Sequence, residues 1–408
     1  MTKIKSIHAE DTLSRDDVRE IKVAVMLDNY RESKACFSLD ANNNPQQDEQ
    51  DLKKTIDNIN DMVALKLIGM DIENLPKIDN VILEIYNTQS KSVFTAKAIH
   101  AVSMAAAKAG AKNSLLPLYL YLMHLEESED EQMLKIPVPI FNFISGGNDD
   151  VRSLDFSEFL VVPASSKRYL ESLQIGELVF KSLQKLIELK YLKLDDYNDG
   201  YLPDLPTNKD AFSLIQQAIL NISSIKLGFD VFLGLDSKAS NFFIDKKYSI
   251  KDLPNPLSAK QLVEYYKDLN KDVRMLYLED ALENDDWGEW RACFEKFCDT
   301  TLIVGGDLVS NRLERLKMAI DKKVINAVAI NPEKIGTVTD LLVFARIARK
   351  ANLKIIISDK ADKTDDDSIA DLSTAVSADY VKLGSFLKKG NIVKYNRFLQ
   401  IDNHLKIL

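Results

Sequence analysis

Two patterns of apolar spacing divide the chain. In its first third, alternating stretches predict β-strands at Ile21 to Leu27 (IKVAVML) and Ala35 to Leu39 (ACFSL), because period-two spacing puts every second side chain on one face. Phe94 to about Ala111 (FTAKAIHAVSMAAAKAGA) reads as a helix of small and apolar residues with Gly110 as its stop. Asp40 to Asp51 (DANNNPQQDEQD) is rich in turn-formers and predicts an exposed loop. The acidic stretch Glu126 to Glu131 predicts a linker, giving two units, 1–132 and 133–408.

Beyond that linker, short β-branched runs alternate with amphipathic helices. Strand candidates end at Asp236 or near Glu279, Asp307, Asn331, Lys360 and Lys382, and Val338, Leu341, Leu342, Ala345 and Ala348 share one helical face. Repeated βα units of this kind predict a closed α/β barrel. The chemistry of such barrels sits at the C-terminal ends of the strands, which selects Asp236, Glu279, Asp307, Asn331, Asp359, Lys360 and Lys382. Any one of them could equally cap a helix or form a turn; six strand ends converging on one rim favour a site. The run Asp365 to Asp367 reads as a solvated helix start, His100 as structural, His8, His124 and His404 as lacking visible partners, and Cys293 and Cys298 as core thiols.

Composition narrows the classes. At 408 residues the chain exceeds one ordinary core, and 46% apolar with 28% charged residues is the usual globular balance. No apolar run reaches membrane length, so a membrane partner is not expected. The first residues lack a secretory core, and Cys36, Cys293 and Cys298 form neither an even framework nor a CxxC pair, which predicts a reducing cytoplasm. A net charge of −9 with lysines scattered among carboxylates argues against nucleic acid.

Several segments stand out, in order and over nearly the whole chain: KSVFTAKAIHAVSMAAAKAG with LLPLY, IPVPIFNFISGG, LGLDSKASNFF, YLEDALENDDWGEW, VGGDLVSN, NPEKIGTVTD, SDKADKTDDDSIADL and VKLG with KYNRFLQI. Taken together they resemble enolase. The resemblance implies an enolase-type, TIM-like α/β barrel behind an N-terminal α+β capping domain. It also implies a magnesium-dependent lyase, phosphopyruvate hydratase, which takes water from 2-phosphoglycerate to give phosphoenolpyruvate. A lysine base removes the proton beside the carboxylate, magnesium stabilises the ene-diolate and a glutamate assists loss of the hydroxyl.

Matched residue by residue, the family's metal carboxylates fall on Asp236, Glu279 and Gly306, with Asp307 one position away. A one-residue offset turns a strand side chain to the other face. The base falls on Asn331, whose amide accepts no proton at neutral pH; the second active-site lysine falls on Lys382. One glutamate of the acid pair falls on Glu158, and the other on Asn198 or Asp199. The phosphate grip SHRS becomes Ser358, Asp359, Lys360 and Ala361, and a second histidine becomes Asp149, so two carboxylates are expected to oppose a phosphate ester. The Ser/Gly-rich family lid corresponds to Asp40 to Asp51, which holds neither residue. The expectation is an enolase homologue with lost or strongly reduced activity, magnesium binding weak or absent, and a role through association. Homodimers, or heterodimers with an active enolase, are the implied assemblies, and Arg15 resembles a family residue near the subunit contact. The alternatives are a working enolase with displaced groups, or a barrel enzyme with another metal-dependent reaction in which Lys382 is the acid or base.

Overall fold

The computed structural model describes residues 1–15, 18–39, 45–88, 95–125, 134–147, 154–191, 196–197, 200–359, 364–384, 386 and 388–407. The chain begins with an antiparallel three-stranded sheet, Ile4–Leu13, Arg19–Leu27 and Glu32–Phe37, in that order. The two predicted strands are its second and third members. Every second residue of the middle strand, Ile21, Val23, Val25 and Leu27, is buried against helix Ala96–Asn113.

That helix starts where Thr95 caps the amide of Ala98, but Gly110 does not end it. A Cβ at Gly110 would stand 2.3 Å from the Tyr121 hydroxyl; the glycine admits a close neighbour, and the helix continues to Asn113. The predicted loop 40–51 is also corrected over its second half. Pro45–Asn58 is a helix, since proline suits the first turn and the following Gln, Asp and Glu are unhindered helix residues. Residues 40–44, and the predicted linker 126–131, lie outside the described residues.

The second unit is a barrel of eight strands: Val138–Ser145, Glu158–Pro163, Val231–Asp236, Met275–Glu279, Leu302–Gly305, Ala327–Ile330, Lys354–Ser358 and Tyr380–Lys382. It closes where Lys382 pairs with Ile140. The expected α/β barrel is therefore present, with one departure from uniform βα repetition. Its second strand runs antiparallel to both neighbours, and the others are parallel. The interior is packed, not open: Ile140, Leu160, Val162, Tyr277, Val304, Ala327, Ala329 and Ile356 form a separate core inside the strands.

The first unit sits on the barrel through buried polar contacts. Asp79 accepts from the amide (3.0 Å) and hydroxyl (2.6 Å) of Thr339, and Ser103 accepts from the amide of Val338 at 2.9 Å. Together they satisfy amides at the start of helix Val338–Lys350. The acidic run is not a solvated helix start. Asp366 bonds Lys108 through both oxygens at 2.8 Å and accepts from the Cys36 amide at 2.9 Å. Burial works against its charge, but Lys108 and Ser368 outweigh that and hold it down at about 2. His100 donates from Nδ1 to the Gly336 carbonyl at 3.0 Å, and burial lowers its pKa to about 4, so the imidazole is neutral and structural. His404 does have a partner, the Tyr119 hydroxyl at 2.8 Å.

Burial pushes Asp79 up to about 6, against hydrogen bonds from Ser103 and Thr339. A folded-state pKa above the unfolded one means that the ionised carboxylate costs stability at neutral pH. The cost is relieved as pH falls through about 6 toward the unfolded value near 4. Asp79→Asn is therefore expected to stabilise the protein by about 1–3 kcal/mol at neutral pH, with the gain shrinking on acidification to pH 5. Thermal melts across that range check it; a gain that grows on acidification contradicts it.

Candidate active site at the barrel rim

The pleat of the barrel carries the site. Glu158 pairs in register with Asp236, and Asp236 with Glu279, so three carboxylates stand side by side on three adjacent strands. Glu158 opens the reversed strand, and that reversal brings a strand beginning to the same rim as its neighbours' ends. Two positions deeper lie Leu160, Gly234 and Tyr277. A Cβ at Gly234 would come within 2.9 Å of the Tyr277 Cβ and 3.3 Å of the Leu160 Cβ; the glycine makes room for the phenol. The Tyr277 hydroxyl then donates to Glu279 Oε2 at 2.6 Å.

Lys382 reaches this row from the closing strand. Its Nζ lies 2.5 Å from Glu279 Oε2, 3.1 Å from Asp236 Oδ2 and 3.1 Å from Glu158 Oε2, and 5.7 Å from the centre of the Tyr277 ring. All five side chains are buried, Lys382 with 1% of its surface exposed. Burial alone would discharge the ammonium; the charges of Asp236, Glu158 and Glu279 reverse that and hold its pKa well above the ordinary lysine range.

Asp280 adds a fourth carboxylate. Its positive φ of 47° lets it turn back under the next loop, where it accepts from the amides of Gly306 (3.0 Å), Asp307 (2.7 Å) and Leu308 (3.2 Å). Burial, then the charges of Glu279 and Asp236, push its pKa up. Asp236, Glu279 and Asp280 each offer an oxygen within 4.8 Å of the others, a buried acidic triad of the kind that can hold a cation.

Comparison with known families decides the kinship. Residues 133–407 match the family described as enolase, C-terminal TIM barrel domain, and residues 19–122 match enolase, N-terminal domain. The chain belongs to the enolase family.

Against the enolase pattern, several positions are put to other uses. Gly306, matched to the third metal ligand, has no side chain, and the space is taken: a Cβ there would meet Glu279 Oε1 at 2.4 Å and Asp280 Oδ2 at 2.7 Å. Asp307 does not join the triad; its backbone amide serves Asp280. Asn331, matched to the enolase base, caps the short helix Pro332–Ile335, its Oδ1 accepting from the Lys334 amide at 3.2 Å. Its backbone N–H donates to Asn311 Oδ1 at 2.8 Å. Lys334 is exposed. Asp359, matched to an enolase histidine, is paired with the buried Lys394 at 2.5 Å, so its charge is compensated within the fold. Asp149, Asn198, Asp199 and Lys360 lie outside the described residues. Beside Asp359, the cleft between the two units, lined also by Cys36, His100, Glu333 and Asp366, encloses about 40 Å³, room for a few waters at most.

Sequence reasoning on this enolase homologue missed Asp280, Tyr277 and Lys394. For the first two a signal existed: Asp280 directly follows Glu279, and Tyr277 lies two residues before it on the same face of the strand. Lys394 lies in helix Lys389–Leu405, and its pairing is purely tertiary.

Proposed function

We propose that this enolase homologue has lost, or retains only in strongly reduced form, phosphopyruvate hydratase activity, and that it acts by association. The observation that carries this reading is the use made of Asn331. An amide that accepts no proton at neutral pH occupies the position matched to the base, and its oxygen is spent on a helix cap. Losing a positioned base typically costs roughly 10²–10⁴-fold in rate.

Magnesium binding is proposed to be weak or absent. Asp236 and Glu279 are the residues that would hold it, and the ion, when bound in an enolase, supplies positive charge for the ene-diolate. Here the third ligand position is glycine, and Asp236 and Glu279 both bond the Lys382 ammonium. Lys382 in turn, ion-paired with three carboxylates, is poorly set to act as acid or base. In the sequence, the position matched to the family's phosphate-binding arginine is Lys360, an ammonium in place of a fork of donors.

Phosphoenolpyruvate formation from 2-phosphoglycerate at saturating magnesium tests the reading. The expected rate lies at least about 100-fold below that of an intact enolase; turnover at ordinary enzymatic rates overturns it. The proposed assembly is a homodimer, or a mixed dimer with an active enolase, in the cytoplasm. A monomeric mass at micromolar concentration, alone and with an active enolase added, speaks against that part.

A further inference from the structure

We infer that the Lys382 ammonium is the resident cation of the rim, standing in for a divalent ion and closing the acidic row to one. The inference rests on the reading above but concerns metal, not turnover.

Three features of the geometry support it. First, the ammonium bonds Glu279 Oε2 at 2.5 Å and Asp236 Oδ2 at 3.1 Å, one oxygen from each of the two carboxylates that would ligate a metal. A magnesium ion bonded to that Glu279 oxygen at about 2.1 Å would lie within about 4.6 Å of Nζ, where like charges in a buried site repel strongly. Second, Glu279 has no slack with which to turn. Its Oε2 also accepts from Tyr277 at 2.6 Å, and its Oε1 fills the place that a side chain at residue 306 would occupy. Third, Asp280, the remaining member of the triad, already has three backbone amides on its oxygens. A magnesium ion requires a near-octahedral oxygen shell, and this rim would have to break several of those bonds to provide one.

The inference makes an inverse prediction: removing the lysine should open a metal site. Manganese alone is the probe, titrated by calorimetry into the full chain and into Lys382→Met, with thermal melts in magnesium and in chelator. The unmodified protein is expected to show no saturable manganese binding and the same melting temperature in both solutions. Lys382→Met is expected to bind manganese at least about tenfold more tightly, the order by which neighbours of metal ligands change affinity, and to melt higher as metal is added. Should that variant fail to fold, Lys382→Met with Glu158→Gln removes one charge of each sign and keeps Asp236, Glu279 and Asp280; the same gain is expected. Saturable one-site manganese binding by the unmodified protein overturns the inference, as does a folded variant with no gain in affinity. Binding without turnover would sink this inference together with the proposed weak or absent magnesium binding, and leave the proposed loss of hydratase activity standing; turnover with magnesium would sink that reading itself.

Discussion

Lys382→Met is expected to lower the stability of the protein by about 3–5 kcal/mol, the cost of breaking a buried ion pair by removing one partner. The side chain is 1% exposed and ion-paired with three carboxylates that are themselves buried. Without the ammonium, Glu158, Asp236 and Glu279 would stand in register on adjacent strands with Asp280 beside them. At that spacing, like charges with no water between them must take up protons, admit a cation or force the rim apart. Urea unfolding in chelator reads the loss, and Glu158→Gln in the same background should recover part of it. A loss below about 1 kcal/mol, the level of an exposed ion pair, would show that the lysine is not the keystone of the rim.

The second large effect concerns the pair Lys394 and Asp359. Lys394 has 0% of its surface exposed and Asp359 8%, and they meet at 2.5 Å. Lys394→Met and Asp359→Asn are each expected to cost about 3–5 kcal/mol, because either change leaves one buried charge behind. The double variant should cost much less than the sum, giving a coupling energy of at least about 1 kcal/mol in the cycle. Asp359→His, which restores the family residue, should destabilise as well, since Lys394 loses its carboxylate. Simple additivity of the two single losses would mean that the pair is not a unit.

This pair also marks the limit of what could be read from residues alone. The residue match makes Asp359 a charge opposing a phosphate ester, because its neighbour 35 residues on is brought in only by the last helix packing on the barrel. The barrel rim itself was largely legible. Period-two apolar runs ending in polar residues selected Asp236, Glu279 and Lys382 before any family was considered, and those three meet. Glu158 begins its strand, so the strand-end rule passes over it and only the family resemblance found it. The reversed second strand escaped for a related reason: strand periodicity is the same in either direction. Gly110 and residues 45–51 show local signals outweighed by context. A glycine can serve a close approach as readily as a helix stop, and a proline can open a helix as readily as a turn. Asp366 departs from the expected solvated helix start because, although a run of three acids is usually solvated, Lys108 from the other unit holds it at the interface.

The proposed loss of activity requires that none of the described rim residues takes a proton from carbon. Incubating the protein with 2-phosphoglycerate and magnesium in heavy water, and following deuterium at C2 by NMR, reports that step whether or not product is released. No exchange above the rate without protein is expected; C2 exchange at the turnover rate of an intact enolase would overturn the proposed loss of the base.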